Sequence, residues 1–223
     1  MELIEAIKTR KSVRGYKPTP VPKETLAQIL EIATHAPSAL NMQPWKFTVL
    51  GGKVFDDVKK ASQEQYLAKV EPHPDFEREP ALTGDYRSRQ VELAKTLFQL
   101  MDIGREDKEK RQQWMLKQVS FFDAPNAIII TLEEEVSGPL FVFSLGTLSQ
   151  TIALAALDFG LGTIIQHAAV YYPEVIRQFT GIPESEKIAI GIAIGYPDWD
   201  FPANKLESTR DQLSNLVTWQ GIS

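Results

Sequence analysis

Apolar positions recur along this chain at two spacings, one helical and one extended. Leu3, Ile4 and Ile7 mark one face of a short opening helix that ends near Thr9-Arg10. Pro18, Pro20 and Pro22 break regular structure after it, and Pro22 suits the first turn of a second helix, where its missing N–H costs nothing. Leu26, Ile29, Leu30 and Ala33 give that helix an apolar stripe. It stops before Ala36-Pro37-Ser38, because a residue preceding proline avoids the helical region. Phe47-Thr48-Val49-Leu50 reads as a strand closed by Gly51-Gly52. Lys53 to Lys69 is predicted helical. Glu71 to Thr83, with prolines at 72, 74 and 80, is predicted to be an irregular excursion of the kind that forms lids.

The span from Asp85 to Val119 is charged and helical, predicted as two helices broken near Gly104, and Arg105 to Arg111 alternates sign as a solvated face does. Ala127 to Leu132 is a buried strand, Pro139 to Phe159 a long helix, and Thr163 to Gln166 a strand. A short helix from Pro173 to Phe179 precedes a last strand at Ile188 to Ile194. Four strands among many helices make the chain α+β. We expect one domain over residues 1–223, with a lid or excursion around 71–120.

Composition narrows the chemistry. The 223 residues include no cysteine, which removes thiolate metal sites, redox disulfides and cysteine nucleophiles. A net charge of −5 argues against nonspecific nucleic-acid binding, which needs a basic face. The N-terminus carries early acids and no long apolar run, unlike a signal peptide. The stretch from Phe141 to Phe159 is interrupted by Ser144, Thr147, Ser149, Gln150 and Thr151, so we read a buried helix rather than a membrane span, and expect a cytoplasmic protein. Apolar most of the way round, that helix needs cover on several sides, which favours a homodimer. His35, His73 and His167 show no metal-ligand spacing, Gly160-Leu161-Gly162 lacks the rest of a dinucleotide fingerprint, and no serine sits in a nucleophile elbow.

Two segments carry candidate chemistry. Arg10-Lys11-Ser12-Val13-Arg14 offers guanidinium forks and a hydroxyl suited to phosphate oxygens. Cations completing a helix C-terminus explain the same cluster equally well. Ala36 to Trp45 packs Ser38, Asn41 and Gln43 between restricting prolines. A rigid loop offering both donors and acceptors suits a planar heterocycle better than it suits a plain turn.

In Arg10 to Tyr16, in Ala36-Pro37-Ser38 with Asn41-Met42-Gln43-Pro44-Trp45, and in Ile190 to Pro197, the chain resembles the FMN-dependent nitroreductase family, from the first helix to about Trp219. The resemblance implies a nitroreductase-like α+β fold with a central mixed sheet flanked by helices. It further implies a long buried helix at a homodimer interface and flavin sites shared between subunits. Arg10, Lys11, Ser12 and Arg14 would contact the phosphate and flavin edge, and Arg210 would close on the phosphate. Pro37, Ser38, Ala39, Leu40 and Asn41 would line the cofactor from the neighbouring subunit. Gln166 and His167 fall where the family sets backbone groups against the isoalloxazine, and Gln118 stands where many members carry an asparagine.

A narrower likeness, to the nitrobenzoate-reducing branch, rests on Tyr86-Arg87-Ser88-Arg89, on Gly104-Arg105 with Asp107, and on Phe121-Phe122 before Ala124-Pro125. It would let Arg87 or Arg89 pair with an anionic substrate, although exposed helix charge explains both as well. The implied activity is two-electron reduction of nitroaromatic or similar electron-poor small molecules by NAD(P)H through FMN, with no catalytic side chain. Dehalogenation, enone or quinone reduction on the same fold, or a non-catalytic flavin-binding module, are the alternatives.

Overall fold

The strand Asn126–Glu133 (β2) is buried from Asn126 through Leu132, and the rest of the chain is arranged around it. The computed structural model describes residues 1–77 and 80–222. β2 pairs antiparallel with Lys46–Gly51 (β1) on one side and with Glu186–Gly195 (β4) on the other, and Gly162–Gln166 (β3) completes the order β1-β2-β4-β3. The helices are Leu3–Thr9 (α1), Lys23–Ala33 (α2), Gly52–Leu67 (α3), Gly84–Leu100 (α4), Lys108–Val119 (α5), Pro139–Asp158 (α6) and Pro173–Thr180 (α7). The element order therefore agrees with the apolar spacing.

Side chains alternate across the sheet, so β2 feeds two cores. Ile128, Ile130 and Leu132 join Ile192 and Ile194 against α2 and α6, while Ala127 and Ile129 face Phe55, Val58 and Phe121. Burying each such aliphatic side chain contributes about 1.5–3 kcal/mol.

One expectation needs correction. The sheet was expected to be mixed, but its four strands are antiparallel throughout; parallel pairing enters only through a bridge between Ser12 and Thr163. There the Val13 N–H donates to the Thr163 carbonyl at 3.0 Å, so residues 12–13 cover the β3 edge. α6, expected to be a long buried helix at a homodimer interface, is covered within one chain on one side only. Leu145, Leu148, Ile152 and Ala156 pack inward, whereas Leu140, Val142 and Phe143 are exposed, Phe143 at 74%. α6 is also long and apolar enough to cross a membrane, by length and composition alone.

The expected excursion over Glu71–Thr83 includes Arg78 and Glu79, which lie outside the described residues. Its first half is pinned. Both Asp75 oxygens accept from Arg177, at 3.3 and 2.7 Å, and Oδ2 also accepts from the Ile188 N–H at 2.7 Å. The two side chains are only 17% and 10% exposed. His73 is held beside them, its Nδ1 against the Glu71 carbonyl at 2.8 Å and its Nε2 against the Glu174 carboxylate at 2.7 Å.

Breaking a mostly buried ion pair from one side strands the other charge. Asp75→Ala should therefore cost about 3 kcal/mol in urea denaturation, and an unchanged midpoint would contradict this reading. The imidazole of His73 is held above its ordinary value, first by the Glu71 carbonyl and then by Glu174. A raised folded-state value stabilises fully below the unfolded value of about 6.5 and stops doing so as pH climbs through the folded value. Glu174→Gln should move the His73 NMR titration downward.

Candidate functional site

The backbone from Arg10 to Tyr16 leaves α1, whose last turn is closed by the Arg10 N–H donating to the Ala6 carbonyl at 3.0 Å, and runs onto the sheet. Close approach there depends on Gly162. A Cβ at that position would lie 2.5 Å from Val13 Cγ2 and 2.8 Å from Pro197. Asn204, 2% exposed, holds the next residues: its Oδ1 accepts from the Arg14 N–H at 2.6 Å, and its Nδ2 donates to the carbonyls of Gly15 and Asp198 at 2.8 and 2.7 Å. The Tyr16 hydroxyl donates back to the Val13 carbonyl at 2.9 Å, and burial pushes that phenol far up. The segment is thus fixed by main-chain bonds, leaving its basic side chains free for other work.

Those side chains wall two cavities. One, of about 500 Å³, is lined by Lys8, Arg10, Lys11 and Arg210 together with Glu207 and Ser208. The cluster from the N-terminus and the arginine from the far end of the chain therefore meet, as the sequence suggested. Lys11 is partly neutralised there, since its ammonium contacts the Glu207 carboxylate and donates to the Asn204 carbonyl at 3.3 Å. Arg210 is held by Ser208, donating to its carbonyl at 3.0 Å and to its hydroxyl oxygen at 2.8 Å. Ser12 lines neither cavity and is fixed through its backbone on β3.

The other cavity, of about 250 Å³, brings Arg14 together with Gln118, Gln166 and His167, between apolar walls that include Leu97, Trp114 and Phe122. Gln166 Nε2 donates to the Gln118 carbonyl at 3.2 Å, and His167 stands edge-on to Tyr171 at 5.7 Å. Arg14 donates to the Ser12 carbonyl at 3.2 Å. Among the described residues it forms no ion pair with a carboxylate, and burial lowers its pKa. Two further polar atoms on these walls, Arg10 Nε and Gln166 Oε1, are buried without a hydrogen-bond partner. Each such orphan costs about 1–3 kcal/mol, so the walls are not arranged for stability alone.

The Pro37–Asn41 loop lies elsewhere. It docks on α6, where the Thr147 hydroxyl donates to the Pro37 carbonyl at 2.7 Å and the Ala39 N–H donates to Ser144 Oγ at 3.1 Å. Ser38 Oγ accepts from the Gln43 N–H at 3.0 Å, and Leu40 and Asn41 are left-handed, with φ of 53° and 54°. Leu40 is 87% exposed, and none of Pro37, Ser38, Ala39, Leu40 or Asn41 lines either cavity.

Arg87 and Arg89 do not line them either. Arg89 is ion-paired with Asp211, and Arg87 contacts Gln90 from a different concavity on α4. Arg89 is therefore spoken for within the chain. Sequence reasoning missed Asn204, Leu97 and Trp114. Only the turn residues around Asp198 and Pro202 hinted at a corner there, and nothing marked Asn204 as its fastener.

The sequence pattern described as the nitroreductase family matches residues 7–196. The chain belongs to the nitroreductase family. Among its relatives, the chloronitrobenzene nitroreductase of Comamonas testosteroni is 29% identical, over 96% of this chain and 95% of that one. The 4-nitrobenzoate reductase of Pseudomonas putida is 27% identical, over 97% and 94%. Among solved structures, the FMN- and NADPH-dependent nitroreductase NfnB of a Sphingopyxis strain superposes with a TM-score of 0.94 at 28% identity, over the full length of both chains.

Asn204→Ala should cost about 1–3 kcal/mol, because it leaves the Arg14 N–H without its partner and removes one of the two bonds to each of the Gly15 and Asp198 carbonyls. It should also loosen Arg14. Thermal denaturation reads the first effect; retained stability would show that Asn204 is not the fastener.

Proposed function

We propose that this chain holds FMN between the two cavities walled by Arg10–Arg14 and uses NAD(P)H to reduce nitroaromatic or similarly electron-poor small molecules. The observation that carries this reading is the pairing of a basic cavity with a polar one that contains a half-buried arginine, Arg14, with no carboxylate partner among the described residues, both built on one short segment. The donor set fits the cofactor. Arg10 and Arg210 present guanidinium groups to the phosphate, Lys11 shares that task against the pull of Glu207, and Ser12 holds the turn between the two cavities. Arg14, Gln118, Gln166 and His167 wall the ring end. Bound there, FMN would supply the two-electron chemistry between nicotinamide and acceptor.

The chain's own contribution is binding, orientation and charge. Arg14 is a cation held in place before any ligand arrives, so negative charge developing on a reduced ring would be stabilised without reorganisation. Leu97 and Trp114 exclude water from one side, and we read the α4–α5 hairpin as the lid of a single domain.

The ring-directed loop is absent from both cavities, and a second copy of the chain would supply it. Leu40, Met42, Leu140, Val142 and Phe143 are exposed together with that loop and the start of α6. An apolar face of this kind fits a homodimer with shared sites. A cytoplasmic setting belongs to the same reading.

The purified protein should be yellow, or become so on reconstitution with FMN, and should oxidise NAD(P)H steadily only when a nitroaromatic is present. Arg10→Ala and Arg210→Ala should each weaken FMN binding by roughly 10- to 100-fold, the loss of a charge-assisted bond worth about 1.5–3 kcal/mol. A protein that stays colourless after reconstitution would defeat the proposal. A flavin-loaded protein without turnover would leave a binding module instead.

A further inference from the structure

The segment that follows Leu206 runs from the phosphate cavity to α4 as a strap. Glu207, Ser208 and Arg210 wall the cavity that also holds Arg10 and Lys11. The same stretch, through Asp211, faces Arg89, Glu92, Leu93 and Thr96 of α4 across a further concavity of about 590 Å³. Among the described residues, the main chain of 207–211 forms no hydrogen bond with the rest of the chain. Arg210 adds no anchor of its own, because its guanidinium donates within the strap, to Ser208 and to the Thr209 carbonyl at 2.9 Å.

An ion pair ties the strap down at each end: Glu207 meets Lys11, and Asp211 meets Arg89. The two ends differ. The Glu207 side chain is 83% exposed, and a phosphate held by Lys11 would compete for that tie. The Asp211 side chain is 22% exposed and already oriented. Its Oδ1 accepts from the Gln212 N–H and from Asn215 Nδ2, both at 2.8 Å, which leaves Oδ2 for Arg89. Arg89 lies about two turns before Leu97, the residue that α4 contributes to the ring cavity. One ion pair therefore connects the helix that walls the ring cavity with the residue next to Arg210.

We propose that Arg89 is a positioning residue for the cofactor: through Asp211 it keeps the strap, and with it Arg210, at the phosphate cavity when the phosphate draws Lys11 away from Glu207. The inference rests on the flavin reading above. It gives Arg89 a part played through the strap in place of direct contact with an anionic substrate, and it joins α4 to the phosphate clamp. Because Arg89 acts only through Arg210, its effect requires both a phosphate on the ligand and an arginine at position 210.

The test is titration of the full-length, flavin-free protein with FMN and with riboflavin, which lacks the phosphate, read by flavin fluorescence. Arg89→Gln should weaken FMN by about two- to fivefold, the range that a partly exposed ion pair supports, and leave riboflavin unchanged. Arg89→Lys, which keeps the charge, should retain most of the FMN affinity. In an Arg210→Ala background, Arg89→Gln should weaken FMN no further. Lys53→Gln opens an exposed ion pair with Asp57 on α3 and should change neither affinity. A loss shared by riboflavin, or one that adds in full to that of Arg210→Ala, would make Arg89 merely structural and overturn the proposal. An Arg89→Gln protein that binds FMN as tightly as the wild type would overturn it alone, leaving the flavin reading intact. Wild-type protein that takes up no FMN would overturn the flavin reading and this inference with it.

Discussion

The docking of residues 12–17 onto the edge of the sheet is the constraint on which the rest of the site depends. Val13 donates to Thr163, Lys17 donates to Tyr196 at 2.9 Å, and Asn204 fastens the stretch between them. These are main-chain contacts, so they fix where the segment runs without using its basic side chains. They also serve β3, an edge strand whose exposed amides and carbonyls would otherwise invite pairing with another chain. The segment is at once an edge cover and the wall of two cavities. The tightness of the crossing explains why Gly162 must lack a Cβ, and why the corner that carries Asn204 must fold back from the end of β4.

The placement of the Pro37–Asn41 loop on α6, away from Arg10 and Arg14, is informative in its own right. A loop with three left-handed residues in four positions (Leu40, Asn41 and Gln43) is costly to form. It is held by hydroxyls of Ser144 and Thr147, on the helix that leaves Phe143 in solvent. Docked on α6 and lying next to exposed apolar surface, the loop has the local form of an interface element, as the proposed homodimer requires.

Much of the fold could be read from the sequence because the signal was local. Short apolar runs marked all four strands, an apolar stripe marked α2, and apolar composition most of the way round marked α6. Antiparallel register was not legible, since the spacing of Ile188 to Ile194 is the same whichever way the neighbouring strand runs. For α6, apolar composition told that its surface wants cover, and its extent round the helix pointed beyond a single chain, but not to which residues stay exposed. Within the site, Arg10, Arg14 and Arg210 announced themselves by type. Asn204 did not, because its importance lies in bonds to backbone atoms of residues some 190 positions away, which no residue type encodes. The ion pair of Arg89 with Asp211, 122 residues distant, was equally illegible, because residue type marks a cation but not the acid that meets it.

Charge pairing then separates the cations that serve structure from those that do not. Lys53, Lys59 and Lys60 each meet an acid three or four residues along their own helix, Lys46 meets Glu133 and Glu186 across the sheet, and Arg177 meets Asp75. Such pairs are nearly self-contained, and most, being exposed, contribute little to stability. Arg10 and Arg14 have no such partner among the described residues, although acids outnumber bases in the chain by 29 to 24. Random placement in an acidic protein would tend to neutralise them. Their isolation at the walls of two cavities, beside orphaned atoms on Arg10 and Gln166, carries a standing cost in the fold that an anion would remove.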